Sequence, residues 1–326
     1  MLKSTINPNI YHGNNHKSNF FEGWYFKIEH PTRNLTYCFI PGIFMEGNKV
    51  QHHSFIQIIN GHDINFKYIK FHKEDFIACK DRFEISIGEN MFSLNRISLN
   101  INRDGEKIKG KLNFSHIIEW PDTILNPGSM GFYNYLTFMQ CYTQVCAMDG
   151  MVEGSLNING ENVDFTGGKV YIEKNWGSAF PYSYIWAQGN CFTGREVSIT
   201  CSIGHIPFFV TSFTGFLIGI YVKGTFYKFT TINRSKLSIG YEKDKLILQS
   251  HNREYSIEID ASYNKGDFVN LFAPRDERMI PIAAETLQGK INLTIYDERK
   301  KQIIFEDSCI NAGVEFCGKY RILAEL

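Results

Sequence analysis

The stretch from Tyr171 to Asn190 combines groups that could carry out acid chemistry on an apolar molecule. It holds a carboxyl group, an amine, amide side chains and several aromatic rings in the order YIEKNWGSAFPYSYIWAQGN. Surface loops rarely contain so many aromatic rings, and apolar cores rarely contain so many amide side chains. The mixture is typical of the wall of a ligand pocket, which is apolar with a few placed polar groups. The alternative is an aromatic-rich pair of strands whose amides only satisfy backbone groups.

Alternation along this stretch predicts a strand after a turn. With the two-residue period of a strand, Tyr184, Trp186, Gln188 and Asn190 share one face. A glycine and a proline between the two halves of the stretch predict the turn or bulge. A second strand, which carries Glu22 and Trp24 on one face, is predicted earlier in the chain at Phe20–Glu29.

The remaining sequence predicts an all-β protein. Aromatic residues make up 15% of the chain, a bias that favours strands. About eighteen short alternating segments, separated by turns such as Asp104-Gly105 and Asn159-Gly160, are typical of barrels or sandwiches. Helix competes with strand only over Phe138–Met148. We expect two consecutive lipocalin-like antiparallel β-barrel domains, an N-terminal one at residues 1–166 and a C-terminal one at residues 167–326.

Composition and motifs exclude several classes of protein. Lys plus Arg and Asp plus Glu both number 34, so no basic surface is expected to attract nucleic acid. No glycine-rich dinucleotide or nucleoside triphosphate motif is present, and no GxSxG nucleophile motif occurs. We therefore predict no metal site and no bound nucleotide cofactor.

The distribution of cysteines and apolar residues predicts a cytoplasmic protein. The eight cysteines form no CxxC pair, and the first ten residues lack an apolar signal-peptide core, so reduced thiols are expected. The most apolar window, His205–Val222, contains a proline and several glycines. It predicts two buried strands around a turn rather than a transmembrane segment, although peripheral contact with a membrane stays open.

Seven sequence blocks resemble the tocopherol cyclase family, a part of the lipocalin-like or calycin-like superfamily. They follow the order of that family and span most of the chain: FFEGWYFK at 20–27, PGSMG at 127–131, MQCY at 139–142, DFTGG at 164–168, YIEKNWG at 171–177, FP at 180–181 and WAQGN at 186–190. The blocks from EKNWG to WAQGN are the most specific of them.

The resemblance implies a fold of two lipocalin-like barrels and a cofactor-independent reaction. In that reaction a phenol oxygen adds to a double bond of an attached prenyl chain, closing a chromanol ring without redox change. The sequence departs from the family at two positions, where Gln140 replaces a usual Glu and Thr143 replaces a usual His. The Glu and the His that are replaced are the residues expected to transfer protons in the family.

Such a ring closure requires an acid, an aromatic lining for the cation, and the exclusion of water. A carboxyl group can protonate an alkene only if burial raises its pKa. Glu173 is the first candidate for the catalytic acid and Glu22 the second, because Glu22 shares its predicted face with Trp24. Lys174 lies on the opposite face from Glu173 in a regular strand, so Glu22 is its expected partner. The alternative for both acids is a structural ion pair or bonds to backbone amides.

A further set of aromatic, amide and amine side chains is expected to bind the substrate. For the tryptophans the alternative is ordinary core packing, and for the polar groups it is buried hydrogen bonding without a ligand. The predicted substrate-binding residues are Trp24, Tyr25, Gln140, Tyr142, Lys174, Asn175, Trp176, Trp186, Gln188 and Asn190.

Three functions are compatible with these observations. The first is a cofactor-independent cyclase or hydratase, an isomerase-type enzyme acting on a prenylated quinol or another isoprenoid. The second is a binding protein that shields a hydrophobic ligand such as a quinone or isoprenoid without chemistry. The third treats the second barrel as a scaffold for protein interaction.

Overall fold

The computed structural model describes residues 2–32, 34–47, 51–194, 196–208 and 211–324. Within these residues nearly all regular structure is β-strand. One short α-helix, α1 (Leu2–Ile6), precedes the first strand. Single turns of 3-10 helix lie at Gly13–Asn15, Lys73–Asp75, Gly131–Tyr135, Lys265–Asp267 and Tyr320–Ala324.

The strands fall into two antiparallel sheets. The first sheet contains β1 (Phe20–Glu29), β2 (Thr36–Met45), β3 (His53–Asn60), β4 (Asn65–His72), β5 (Phe76–Ala78), β6 (Glu84–Ile87), β7 (Asn90–Ser93), β8 (Arg96–Arg103), β9 (Glu106–Ile118), β10 (Cys141–Ala147), β11 (Asp149–Ile158), β12 (Glu161–Asp164) and β13 (Lys169–Gly177). The second contains β14 (Tyr184–Gly189), β15 (Val197–Phe208), β16 (Thr211–Val222), β17 (Thr225–Thr230), β18 (Lys236–Glu242), β19 (Lys245–His251), β20 (Tyr255–Ser262), β21 (Val269–Arg275), β22 (Arg278–Asp297) and β23 (Gln302–Cys317).

The chain divides into two compact units, which differ in their limits from the predicted domains. Unit 1 comprises Met1–Phe180 and Phe272–Ile280, and unit 2 comprises Pro181–Leu271 and Pro281–Leu326. The predicted limit after residue 166 would separate β13 from unit 1. Because β13 pairs with β1 along its whole length, it belongs to that sheet. The change of unit occurs in the turn between β13 and β14, where the sequence shows Gly and Pro.

Unit 1 is organised by the order of strands in its sheet. The order is β4-β3-β2-β1-β13-β11-β9-β8-β7-β6-β5, with β10 paired to β13 and β12 to β11. Side chains from one face of these strands form one aromatic-rich core, which includes Trp24, Phe26, Phe39, Phe92 and Phe114. Pairing between β1 and β13 joins residues that are about 150 positions apart in the chain.

Unit 2 has the strand order β17-β16-β15-β14-β23-β22-β20-β19-β18, with β21 paired to β22. Its core is more aliphatic and includes Ile185, Ile199, Leu248, Leu293 and Val314. The apolar window predicted as two strands forms the end of β15 and the whole of β16, and its residues 209 and 210 lie outside the described residues. No helix among the described residues has the length and apolar character needed to cross a membrane.

Turn chemistry explains several of the hairpins. Asp104-Gly105, Asn159-Gly160 and Lys223-Gly224 each have two successive positive φ angles. Tight two-residue hairpin turns require that conformation, which glycine and asparagine adopt most easily.

The uncertain segment Phe138–Met148 contains strand β10 and no helix. The prediction of an all-β, two-domain lipocalin-like fold is confirmed.

Candidate functional site

Strands β1 and β13 place the two candidate acids on opposite faces of one sheet. The antiparallel register aligns Glu22 with Trp176 and Tyr25 with Glu173. Directly opposed side chains share a face, and neighbours along a strand alternate. Because Trp176 packs in the core of unit 1, Glu22 points into that core, whereas Glu173 points away from it.

Glu22 and Lys174 form a fully buried ion pair inside unit 1. Both side chains have no exposed area, and the Lys174 ammonium contacts Glu22 Oε1 directly. The ammonium also donates to the carbonyl oxygen of Ile10 at 2.7 Å and lies 3.2 Å from His12 Nδ1. Its three N–H groups are thereby used by three acceptors. The predicted pairing of Lys174 with Glu22 is present, and the geometry leaves this ammonium no N–H group for a substrate.

Burial and pairing fix the charge state of Glu22. Burial alone would raise the pKa of Glu22, but the Lys174 ammonium, together with the contacts of His12, outweighs it and holds the pKa below the usual value. The backbone N–H of His12 donates to Glu22 Oε2 at 2.8 Å. An ionised carboxylate with these partners has no proton to give, so the contacts of Glu22 favour a structural ion pair over a catalytic acid.

His12 completes this interior cluster, and sequence reasoning did not select it. Its Nε2 lies 3.1 Å from the carbonyl oxygen of Ser4, so Nε2 carries the hydrogen and Nδ1 accepts from Lys174. Burial, with the nearby Lys174 charge, lowers the pKa of His12. The 3.3 Å approach of Nδ1 to Glu22 Oε1 is therefore a contact with a neutral imidazole and not an ion pair.

Three of the predicted aromatic residues lie around the Lys174 ammonium. Trp24 and Trp176 contact it, and Tyr142 stacks on Trp176. The ammonium lies 5.2 Å from the ring centre of Trp24 and 4.8 Å from that of Trp176. Trp176 is stacked between His12, at 4.0 Å, and Tyr142, at 5.2 Å. These rings stabilise a cation of the protein itself. The cluster thus fastens the N-terminal segment into unit 1.

The lowered pKa of His12 predicts a pH-dependent stability. As the pH drops below 6.5, the unfolded chain binds a proton on His12 and the folded chain does not, until the lower folded pKa is reached. The free energy of unfolding should fall by up to about 1.4 kcal/mol per pH unit in this window. Urea unfolding between pH 7.5 and 5 should show a shallower dependence for His12→Asn than for the wild type. The exposed His251→Asn should keep the wild-type slope, and equal slopes for all three would contradict the prediction.

Glu173 lies in a separate polar cluster on the other face of β13. Its Oε2 accepts from the Tyr171 hydroxyl at 2.6 Å, and its Oε1 accepts from Thr143 Oγ1 at 3.0 Å and from Asn175 Nδ2 at 3.3 Å. Glu173 is 5% exposed and Tyr171 is fully buried. Three donors favour the carboxylate form. Tyr25, another predicted binding residue, packs edge-on against Tyr171 at 6.5 Å.

A second buried ion pair occupies the same face of β1 as Tyr25. Lys27 Nζ donates to Glu29 Oε1 at 2.6 Å, and neither side chain has exposed area. Buried charges of this kind are uncommon unless they are paired. Gln140 precedes β10, and its backbone carbonyl accepts from the Ser178 N–H at 2.9 Å. The structure therefore holds Gln140 beside the end of β13 through its main chain.

The remaining predicted binding residues, Trp186, Gln188 and Asn190, belong to unit 2. Their neighbours Ile185 and Ala187 face the core of unit 2, so Trp186 and Gln188 lie on the other face of β14, as alternation predicted. All three predicted residues are buried. Among the described residues, neither amide atom of Gln188 has a hydrogen-bond partner.

Two carboxyl groups that the sequence analysis missed lie on this face of unit 2. Glu315 pairs directly with Trp186 on one side and with Glu285 on the other. The Tyr184 hydroxyl donates to Glu315 Oε1, and burial, together with the Glu315 charge, raises the pKa of Tyr184. Glu285 has no exposed area and Glu315 is 9% exposed. The signal in the sequence is a lone Glu within an apolar run, as in AGVEFC.

A cavity of about 570 Å³ opens at one end of the sheet of unit 1. It is lined by the starts of β2, β4 and β9, the end of β3 and the hairpin of β11 and β12, and none of the predicted site residues lines it. Glu22 lies at the other end of β1.

Within the residues that the structure describes, no three His, Cys, Asp or Glu side chains converge as metal ligands would. All eight cysteines are free thiols.

Comparison with known proteins identifies the family. The family model described as tocopherol cyclase-like matches residues 95–318. The chain belongs to the tocopherol cyclase-like family. Its curated relatives in this family include a probable chloroplastic tocopherol cyclase of Oryza sativa subsp. japonica, which is 26% identical over 94% of this chain and 77% of that protein. A chloroplastic tocopherol cyclase of Zea mays is 25% identical over the same shares.

Solved structures share the fold of this tocopherol cyclase-like chain. Kievitone hydratase from Nectria haematococca superposes with a TM-score of 0.53 at 13% identity, over 95% of this chain and 94% of that chain. CghA in complex with Sch210972 has a TM-score of 0.55 at 8% identity, over 92% of this chain and 88% of that chain. At these identities the likeness establishes the architecture alone.

Proposed function

We propose that this member of the tocopherol cyclase-like family is a cofactor-independent cyclase or hydratase. It would add an oxygen nucleophile to a double bond of a prenylated quinol or another isoprenoid. The observation that carries the proposal is the buried face of β14, where the aromatic ring of Trp186 lies beside Glu315 and the unpartnered amide of Gln188. A buried amide without a partner costs about 1–3 kcal/mol, so a polar group of a bound ligand would offset that cost.

The pair of Glu285 and Glu315 is the best candidate for the proton donor on this face. Two buried carboxyl groups directly opposite each other on neighbouring strands repel when both are ionised. One of them is then favoured in the protonated form, as in other sites where two carboxyl groups share a proton. The donor gives its proton to an alkene carbon, and the Trp186 ring stabilises the tertiary cation. The carbon–oxygen bond forms as the nucleophile releases its own proton, so the cyclisation is a net isomerisation.

Glu173, our first candidate for the acid, belongs to unit 1 and is the alternative to the carboxyl pair of unit 2 as the group that transfers a proton. The donors Tyr171, Thr143 and Asn175 favour its ionised form, which can accept a hydrogen bond or a proton from a phenolic hydroxyl. Thr143 occupies the position at which the family usually has a His. In this chain the hydroxyl of Thr143 orients Glu173 and can supply no imidazole proton.

Activity of the purified protein on a geranylgeranyl-substituted hydroquinone tests the proposal. We expect chromanol or a hydrated product by mass spectrometry. Turnover should decrease about 100-fold or more for Glu315→Gln if the carboxyl pair of unit 2 transfers the proton, or for Glu173→Gln if the cluster of unit 1 does. Glu258→Gln, on an exposed strand position of unit 2, serves as the matched control. Turnover that survives Glu315→Gln and Glu173→Gln together would remove both assignments. Saturable binding of the hydroquinone without any product would favour the binding protein over the enzyme.

A further inference from the structure

The cavity in unit 1 has the size and lining of a ligand site that is separate from the groups discussed above. Its volume of about 570 Å³ lies within the usual range for small-molecule pockets. Ile58, Ile158 and Val163 form an apolar part of its wall and are continuous with the core of unit 1. An apolar floor of this kind accommodates a hydrocarbon or aromatic body.

Tyr37 supplies a hydrogen-bond donor to this cavity. The side chain lines the cavity and is 6% exposed, and its hydroxyl oxygen accepts from Asn60 Nδ2 at 2.9 Å. In the described part of the chain, the hydroxyl hydrogen itself has no acceptor. Asn60 is committed elsewhere, because its amide also binds the Asp63 side chain and two backbone N–H groups of the following turn. The Tyr37 hydroxyl can therefore donate to an oxygen of a bound molecule.

Glu106 supplies an anionic acceptor in the wall of the same cavity. Its residue exposure is 8%, and its Oε2 accepts from Asn159 Nδ2 at 3.1 Å. The nearest cation to Oε1 is Lys67 Nζ at 3.9 Å, which is beyond hydrogen-bond distance. Oε1 accepts no hydrogen bond from any residue that the structure describes. This oxygen is available to accept a charge-assisted hydrogen bond from a ligand N–H group in the cavity.

The charges around the cavity favour a cationic ligand. Asp63, Glu106 and Glu161 line it together with a single lysine, Lys67, which leaves an excess of two carboxylates over ammonium groups. The same three carboxylates, after burial, raise the pKa of Tyr37 to about 12, so its hydroxyl keeps its hydrogen as a donor. A negative potential in a partly enclosed cavity attracts cations and repels anions.

We infer that this cavity binds a small amphipathic organic ammonium compound. The ammonium group contacts Glu106 Oε1, an oxygen of the ligand accepts from the Tyr37 hydroxyl, and the apolar body lies against Ile58, Ile158 and Val163. The inference goes beyond the proposed function, because its residues share no member with the candidate active-site groups.

A fluorescence titration with dansylcadaverine tests this site, because the probe joins an aromatic body and sulfonamide oxygens to a primary ammonium group. We expect saturable binding that is at least 10-fold weaker for the N-acetyl derivative, which lacks the charge. Glu106→Gln should weaken binding of the ammonium probe at least 10-fold and leave the acetylated probe unchanged, and Tyr37→Phe should weaken both probes several-fold. The exposed Glu74→Gln is the matched control and should bind like the wild type.

Three outcomes would overturn the inference. They are the absence of saturable binding, equal affinity for the charged and acetylated probes, and an affinity for the charged probe that Glu106→Gln leaves unchanged. The last would place the probe elsewhere on the protein. If Glu106→Gln does not fold, Asp63→Asn at the exposed rim takes its place, with an expected two- to fivefold loss for the charged probe alone. An unchanged affinity in that variant would equally contradict the site.

Discussion

A Lys174→Met variant is expected to lose about 3–5 kcal/mol of unfolding free energy, because removing one partner leaves Glu22 as an uncompensated charge in the core. The loss of contacts to the Ile10 carbonyl and to His12 adds to the effect, since both then lack a donor. Urea unfolding followed by tryptophan fluorescence measures it. Three of the four tryptophans, including Trp24 and Trp176, belong to unit 1, so the signal reports mainly on that unit.

The matched control for this variant is Lys301→Met. Lys301 pairs with Glu298 at 2.9 Å on the surface, and its side chain is 70% exposed, so solvent screens the pair and the expected loss is much smaller than that of Lys174→Met. The double variant Glu22→Gln with Lys174→Met should recover part of the loss, because it removes both charges from the core. A Lys174→Met variant as stable as the Lys301→Met control would contradict the ion pair as described.

Gly177→Ala is expected to destabilise unit 1 by about 3 kcal/mol, because both the backbone and the space around Gly177 exclude a side chain. Gly177 has φ +146°, and a Cβ there would lie 2.2 Å from the backbone oxygen of Gln140. That overlap would push β10 away from β13 and disturb the contact of Thr143 with Glu173. The variant should lower the urea midpoint and, if Glu173 transfers the proton, the turnover as well.

Gly240→Ala is the control for this substitution. Gly240 lies in strand β18 of unit 2, and the nearest atom to an added Cβ is 3.6 Å away, which is an ordinary contact. Its stability should change by less than about 1 kcal/mol. Equal effects at Gly177 and Gly240 would show that the close approach of Gln140 does not constrain the chain.

Alternation along the strands allowed much of the site to be predicted. The shared face of Glu22 and Trp24, the opposite orientation of Lys174 and Glu173, and the pairing of Lys174 with Glu22 all follow from a period of two. Hairpin turns were also predictable, since Gly after Asn or Asp favours two positive φ angles. Local patterns of this kind depend only on residues close together in the chain.

Contacts between distant residues could not be predicted in the same way. Nothing in the pattern around His12 shows that its ring stacks on Trp176 and that its backbone binds Glu22. The opposition of Glu285 and Glu315 depends on the register of two long strands that contain bulges, and the sequence does not specify that register. The limits of the units were missed for a similar reason, because Phe272–Ile280 joins unit 1 from far along the chain.

The pairing of β1 with β13 has a consequence for synthesis of the chain. About 150 residues separate the start of β1 at residue 20 from the start of β13 at residue 169. At about 5–20 residues per second on the ribosome, roughly 7–30 seconds pass between the synthesis of β1 and that of its partner strand. Unit 1 also includes Phe272–Ile280. The side-chain amide of Gln57 makes two hydrogen bonds to the backbone of Phe272, and these can form only after most of the chain has emerged. The edge of β1 that β13 covers in the folded unit therefore stays unpaired during this part of translation.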